Sequence, residues 1–149
     1  MDVTIRPASD AAFREMLGWR YEPPYEFYDG DGVMPLNPER FYEARDEDGS
    51  LVGFYYFEER GSALFYGLGL RPDLTGRGLG LDFLRAGLAF GRRLHGPQKV
   101  VLDVAAFNER ARIVYERAGF RVVGSHTRSF ERWGEVEFLD MELTGPPRP

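Results

Sequence analysis

The chain has 149 residues, of which 43% are apolar and 29% charged, with a formal net charge of −5 and no cysteine. The length suits one domain over residues 1–149, the acidic balance argues against a nucleic-acid partner, and the missing cysteines exclude disulfides and thiolate zinc sites. With only two histidines the chain has few ligands for a metal centre, so we expect no metal. No apolar run is long enough for a membrane span or a secretory signal, so we expect a cytoplasmic protein without a membrane partner.

The N-terminal part predicts a short alternating strand at residues 3–6 and a helix at residues 11–19, which Ser9 or Asp10 can cap. Regular periodicity then disappears over residues 20–40. Segment 21–30 is rich in aromatic and acidic residues, and its prolines disfavour regular structure. Two interpretations stay open for this segment: an aromatic loop that seals the core, or a lid over the substrate.

The lid interpretation gives a role to four side chains. Tyr25 and Tyr28 would shape the pocket, and Glu26 or Asp29 would attract a cationic amine, which can also stack on aromatic faces. The same acids can instead form a solvated rim around a packed aromatic cluster.

A hairpin is predicted next, with strands at residues 41–45 and 51–58 around a turn at 46–50. The following strand, 63–70, contains Gly67 and Gly69, which mark either a bulge or a close backbone approach. A glycine-rich connection then leads into an amphipathic helix at residues 79–94. His95 is interpreted as a helix-end residue, because a cation is favourable at a helix C-terminus.

The connection reads Thr75-Gly76-Arg77-Gly78-Leu79-Gly80. Glycines at alternate positions let backbone N–H groups approach an anion such as pyrophosphate, and the helix N-terminus adds its positive dipole end. The alternative is a tight connection without a ligand. A dinucleotide fingerprint is excluded because Leu81 and Phe83 stand where its last glycine would be, and no Gly-Lys-Ser/Thr of a Walker loop occurs.

The C-terminal half predicts a strand up to about residue 105, a helix of about three turns, and a hairpin of strands 121–130 and 136–143 before a loose tail from about residue 144. Asn108 can cap the helix, and Gly119 suits the left-handed position that ends it, with Phe120 packing back. The helix has apolar positions at i, i+3, i+4 and i+7, namely Ala111, Val114, Tyr115 and Ala118.

Two stretches together resemble the GCN5-related N-acetyltransferase (GNAT) family. Leu70-Arg71-Pro72 followed by residues 75–80 is similar to the family's Gln/Arg-x-x-Gly-x-Gly/Ala motif, except that Thr75 stands where Gln or Arg is usual. The second stretch has Asn108 and Ala111 in Asn-x-x-Ala, then Val114-Tyr115 and Gly119-Phe120. The resemblance covers the C-terminal half and implies an α/β fold: a mixed central sheet with helices on both faces, in the order β-α-α-β-β-β-α-β-α-β-β, splayed where the cofactor inserts.

The resemblance implies direct acetyl transfer from acetyl-CoA to a primary amine of a small molecule or peptide. Backbone groups of Leu68 and Leu70 would pair with the pantetheine arm, and Asn108 would bind its amides. Tyr115 matches the family's tyrosine that protonates the leaving thiolate. In the family, the segment that corresponds to residues 20–40 overlies the acceptor cleft. The loop residues that would bind the pyrophosphate are Thr75, Gly76, Arg77, Gly78, Leu79, Gly80 and Leu81.

Alternatives remain for the individual roles. Asn108 can be only a helix cap, and Tyr115 can be only a core tyrosine. The sequence does not identify the general base, which can be a water chain or one of Glu58, Glu59, Glu135, Glu137 and His126. A catalytically inactive acyl-CoA-binding or protein-interaction domain of the same fold is the rival class, and a homodimer is allowed.

Overall fold

The computed structural model describes residues 2–30 and 33–144, which form one seven-stranded sheet. The strands lie in the order β1-β2-β3-β4-β5-β7-β6, and neighbours are antiparallel except for the parallel pair β4 and β5. The result is the mixed α/β sheet that the sequence predicts. The strands are β1 (Thr4–Pro7), β2 (Phe41–Arg45), β3 (Leu51–Arg60), β4 (Ala63–Leu70), β5 (Lys99–Ala105), β6 (Arg121–Phe130) and β7 (Gly134–Leu143), and the helices are α1 (Asp10–Met16), α2 (Gly80–His95) and α3 (Glu109–Arg117).

The helices cover opposite faces of the sheet. Successive side chains of a strand point to opposite sides, so Tyr55 and Phe57 of β3 pack in the main core, whereas Phe54 packs against the cluster around α1. The main core includes Phe83 of α2 and, at its margin, Tyr115 of α3. The sheet therefore separates an α2–α3 side from an α1 side.

Helix α2 lies directly on aromatic side chains of β3 and β4. A Cβ atom at Gly87 would come within 2.2 Å of the Tyr55 ring and 2.3 Å of the Tyr66 hydroxyl. Both tyrosine hydroxyls donate to main-chain carbonyls of α2, at 2.7 and 2.8 Å. Glycine thus permits the close approach, and the two hydrogen bonds fix the helix with its N-terminus beside the end of β4.

The family resemblance implies a second helix after α1, and this prediction is wrong. The described residues between α1 and β2 form no α-helix. They form two 3₁₀ turns, Tyr25–Tyr28 and Pro38–Arg40. Prolines at positions 23, 24, 35 and 38 fix φ and remove N–H donors, which prevents a continuous helical hydrogen-bond ladder. Helix α1 also ends earlier than predicted, at Met16, although Trp19 remains buried in the same cluster.

Strand β4 has the predicted bounds but contains no bulge. It pairs with β3 in continuous register from Ala63 to Leu70. Gly69 instead makes room for a side chain, because the Phe54 ring would lie 2.4 Å from a Cβ atom there. The predicted loose tail lies outside the described residues except for Thr144.

Candidate active site

The parallel strands β4 and β5 pair only near their N-terminal ends. Within the described part of the chain, their register stops at the pair Phe65 and Val101, so the strands then diverge. A cavity of about 810 Å³ lies where they separate, lined by Leu68 of β4 and Asp103 of β5. Phe54 also lines it, which places the cavity on the α1 side of the sheet. This is the splay that the family resemblance implies.

Two carboxylates and an imidazole line one wall of this cavity. Asp103 of β5 and Asp140 of β7 are direct cross-strand partners, an unfavourable arrangement for two like charges. His126 of β6 lies beside both: Nδ1 is 3.0 Å from Asp140 Oδ1, and Nε2 is 3.7 Å from Asp103 Oδ2. Arg128 Nη2 is 3.3 Å from the same Asp103 oxygen. The Arg128 guanidinium therefore partly compensates the charge of the acidic pair.

Tyr115 of α3 lies close to this cluster but belongs to the α2–α3 side. Burial raises the pKa of the Tyr115 phenol, and the neighbouring Tyr28 and Asp103 raise it further. The ring packs on Phe120 with 6.3 Å between the centroids. The hydroxyl therefore keeps its proton at neutral pH and can act as a proton donor.

Asn108 joins the start of α3 to the segment before β2. Its Oδ1 accepts a hydrogen bond from the Ala111 N–H at 3.2 Å, so the predicted cap is confirmed. Its Nδ2 donates to the Tyr28 hydroxyl at 3.2 Å, and the backbone of Ala105 also hydrogen-bonds that hydroxyl. Tyr28 therefore reaches the end of β5, next to the opening in the sheet.

The glycine loop connects β4 to α2 through the 3₁₀ turn Pro72–Leu74. Gly76 and Gly78 have φ values of 72° and 76°, which residues with a Cβ rarely adopt. Leu79, at the N-cap of α2, provides no side-chain hydrogen bond to the helix. An anion in the loop can therefore serve as the acceptor for the first N–H groups of the helix.

The nearest side chains to this loop are not those that the family motif suggests. The Thr75 hydroxyl donates to the Pro72 carbonyl at 2.7 Å, so it stabilises the turn. Arg110 of α3 instead places Nη1 3.5 Å from the position of a Cβ atom on Gly76, and its guanidinium carbon lies 4.0 Å from the centre of the Tyr25 ring. Arg110 thus brings a positive charge to the loop.

Segment 21–30 contacts the sheet through a hydrogen bond and through aromatic packing. The Tyr21 hydroxyl donates to the Leu70 carbonyl at 2.6 Å, and the Tyr21 N–H donates to the Asp29 carboxylate at 2.6 Å. Phe27 lies in an aromatic cluster, with ring centroids 5.1–6.1 Å from those of Phe107, Phe130, Trp133 and Phe138. For Phe27 the interpretation as a packed aromatic loop is therefore correct.

The four predicted substrate residues do not line the cavity in the described structure. Tyr25 faces Arg110, Tyr28 contacts Asn108, and Asp29 binds the backbone of its own segment. Glu26 has a buried carboxylate oxygen without a hydrogen-bond partner among the described residues. The acids that line the cavity, Asp103 and Asp140, were missed: Asp103 interrupts an apolar run in β5, whereas Asp140 is one of several acids in β7.

The model of the acetyltransferase (GNAT) family matches residues 8–120 of this chain. The chain belongs to the GNAT family. This GNAT chain is 40% identical over 95 residues to the mycothiol acetyltransferase of Propionibacterium freudenreichii subsp. shermanii, an alignment that covers 60% of the chain and 30% of the relative. It is 33% identical over 129 residues to the mycothiol acetyltransferase of Mycolicibacterium smegmatis, with 81% and 43% covered. The chain thus spans less than half the length of these curated relatives.

Solved structures show the same GNAT fold. The spermidine N-acetyltransferase from Vibrio cholerae in complex with CoA and spermine has a TM-score of 0.71 at 19% identity, over 95% of each chain. A GNAT-family acetyltransferase from Streptococcus pneumoniae has a TM-score of 0.68 at 19% identity, over 96% of this chain and 99% of the other. None of the helices in the described part of this GNAT chain is long and apolar enough to cross a membrane.

Proposed function

We propose that this chain transfers an acetyl group from acetyl-CoA to a primary amine of a small molecule. The divergence of β4 and β5 carries this proposal, because it opens the sheet between the glycine loop on one side and the acid-lined cavity on the other. The donor would bind on the α2–α3 side with its thioester at the opening. The acceptor would enter from the α1 side.

The residues of the α2–α3 side fit the donor. The backbone of Thr75 through Leu81 and the N-terminus of α2 suit a pyrophosphate, and Arg110 adds the charge that Thr75 lacks. Leu68, at the opening, would pair with the pantetheine arm. The Leu70 carbonyl is engaged by Tyr21, so the arm would have to displace that hydroxyl to use it.

The acceptor and the leaving group also have suitable partners. Asp103 and Asp140 favour an ammonium group in the cavity. The Tyr115 phenol, which keeps its proton at neutral pH, would protonate the CoA thiolate as the thioester carbon–sulfur bond breaks. The names of the relatives, mycothiol acetyltransferase and spermidine N-acetyltransferase, support a small-molecule acceptor over a peptide. A cytoplasmic location and a homodimer stay predictions.

The test is an amine panel with acetyl-CoA as donor. Spermidine, spermine, amino acids, amino sugars and short peptides are each incubated with the protein, and the released CoA thiol and the acetylated product are quantified. We expect amine-dependent thiol release with a product heavier by one acetyl group. Thermal stabilisation by CoA without any amine-dependent release would favour the inactive acyl-CoA-binding domain, and absence of both would exclude acetyl-CoA as the ligand.

A further inference from the structure

We propose that His126, oriented by Asp140, is the base that takes a proton from the acceptor ammonium. This inference rests on the proposed acetyl transfer and assigns the one chemical role that the sequence leaves open. It is carried by the position of the imidazole in the cavity wall, between two acids and close to the opening where β4 and β5 separate.

The imidazole is held in a defined orientation. Nδ1 lies 3.0 and 3.1 Å from the two Asp140 carboxylate oxygens, so Asp140 favours the tautomer with a proton on Nδ1. The ring also stacks on Phe138, with 5.4 Å between centroids and 12° between the planes. Nε2 is then left with its lone pair directed to the Asp103 side, where an ammonium group would be attracted.

The charged groups around His126 come from four strands. Asp103 of β5 and Asp140 of β7 lie beside the ring, Arg128 of β6 pairs with Asp103, and Arg60 of β3 lines the same cavity. Because Arg128 already pairs with Asp103, the acidic wall is partly neutralised. This guanidinium also makes the three potential ligands Asp103, His126 and Asp140 a poor site for a divalent cation, although their ligand atoms lie within 4.8 Å of one another.

The other candidate bases are less suitable. Glu58 accepts hydrogen bonds from Tyr56, Arg60 and Arg40. The hydrogen bond from Tyr56, followed by that from Arg60, lowers the pKa of Glu58. The Glu58 carboxylate is therefore a weak proton acceptor. Glu59 pairs with His95 at 3.0 Å. The remaining two, Glu135 and Glu137, are exposed and do not line the cavity.

The acceptor nitrogen loses two protons during the proposed transfer. The ammonium gives one proton to His126 Nε2, and the neutral amine attacks the thioester carbonyl carbon to form a carbon–nitrogen bond. As the carbon–sulfur bond breaks, sulfur receives the Tyr115 proton and the nitrogen gives up its second proton to restore the phenol. His126 returns its proton to solvent. The products are the N-acetyl amine and CoA thiol.

The first test measures the nitrogen-15 NMR signals of the His126 ring and needs no turnover. The chain has two histidines, so nitrogen-15 NMR can resolve each ring, and His95 is a matched control because Glu59 pairs with it much as Asp140 pairs with His126. We expect n-propylammonium to shift the His126 Nε2 signal and to leave His95 unchanged, whereas tetramethylammonium, which has no N–H donor, gives a much smaller shift. Asp140→Asn should reduce the Nδ1–H tautomer of His126.

The second test uses the acceptor with the highest turnover in the amine panel. His126→Asn should lower kcat at neutral pH about a hundredfold and remove the decline of kcat/KM on the acid side, while His95→Asn changes neither. Asp140→Asn should lower kcat about tenfold with the KM for acetyl-CoA unchanged, as expected of a positioning residue.

Several results would overturn the assignment. If His126→Asn retains the rate and the acid-side decline, another group is the base, and the proposed acetyl transfer still stands. If n-propylammonium shifts neither histidine, the wall is not an ammonium site. If the wild-type protein shows no amine-dependent thiol release, the proposed function itself fails, and the NMR experiment tests the ammonium site independently of that result.

Discussion

The two sides of the sheet are built by different means. On the α2–α3 side, the proposed donor site consists of backbone groups and caps from two short continuous stretches, around Gly76 and Asn108. On the α1 side, the cavity wall joins side chains from separate strands: His126 and Asp140 are 14 positions apart in the sequence, and Asp103 and Arg128 are 25 positions apart. Local sequence patterns thus predict the proposed donor site, whereas the proposed acceptor site depends on strand pairing.

The largest expected effect is at Tyr115, where the two sides meet. Tyr115→Phe removes the only proposed donor of the thiolate proton, so kcat should fall about a hundredfold or more. The affinity for CoA should stay the same, because the ring keeps its packing on Phe120. Steady-state kinetics and calorimetric titration with CoA measure the two quantities. Phe120→Leu is the control for packing, and unchanged turnover of Tyr115→Phe across the pH range would assign the tyrosine to the core alone.

The second prediction concerns Glu43, a buried residue of β2 that connects this strand to β1 and to the start of α1 through hydrogen bonds. Its carboxylate accepts hydrogen bonds from Arg6 at 3.0 Å, from the Ser9 N–H at 2.9 Å and from Arg45. Burial by itself would raise the pKa of Glu43, but the hydrogen bonds from Arg45, Ser9 and Arg6 outweigh it and lower the pKa to about 2. Because the folded value is lower than the unfolded one, the ionised carboxylate stabilises the fold above the unfolded pKa. That contribution is lost as the pH falls towards 2.

Glu43→Gln mimics the protonated acid, so it should lower the free energy of unfolding at neutral pH by about 3 kcal/mol. Urea unfolding at neutral pH and near pH 3 measures this effect. The wild-type protein should lose stability between the two conditions, and the variant should lose much less. Glu39→Gln, at an exposed position, should behave as the wild type. A parallel decline of Glu43→Gln and wild type would show that other acids govern acid unfolding.

Features of the α2–α3 side could be predicted from the sequence, whereas the cavity wall on the α1 side could not. Gly76, Gly78 and Gly119 have positive φ, and Asn108 caps α3, because these features depend on a few neighbouring residues. The seven strands and the mixed sheet with its parallel pair β4 and β5 also agree with the family resemblance. Asp103 and Asp140 were missed because their meeting depends on the pairing of β5 with β7. The additional helix was predicted from resemblance alone, against the evidence of the prolines.

The third prediction sharpens the description of the donor side. Arg110→Gln should weaken CoA binding about tenfold, because it removes a charged hydrogen-bond donor beside the loop. Binding of pantetheine, which lacks the pyrophosphate, should not change. Calorimetric titrations with both ligands make the comparison. Arg112→Gln is the matched control, since Arg112 pairs with Glu109 and Glu116 on its own helix. Equal losses for both variants would indicate a general charge effect.

The smallest expected effect tests whether segment 21–30 helps to select the amine. Neutralising Glu26 and Asp29 together should raise the acceptor KM about threefold and flatten its salt dependence, with the KM for acetyl-CoA unchanged, because neither acid lines the cavity and solvent screens distant charges. Glu26→Gln alone should account for most of the change. Asp29→Asn should have little effect, since its amide oxygen can still accept the Tyr21 N–H.

The effect of Glu26 and Asp29 on the acceptor KM is best compared with the effect of Asp103 in the cavity wall. Asp103→Asn removes a carboxylate that lines the cavity itself, so it should raise the acceptor KM more than the double variant of segment 21–30 does. Acceptor kinetics at low and high salt for the three single variants and the double variant provide the test. If the double variant raises the acceptor KM as much as Asp103→Asn, electrostatic selection of the amine begins at segment 21–30, and the acceptor site extends from the strands to that segment.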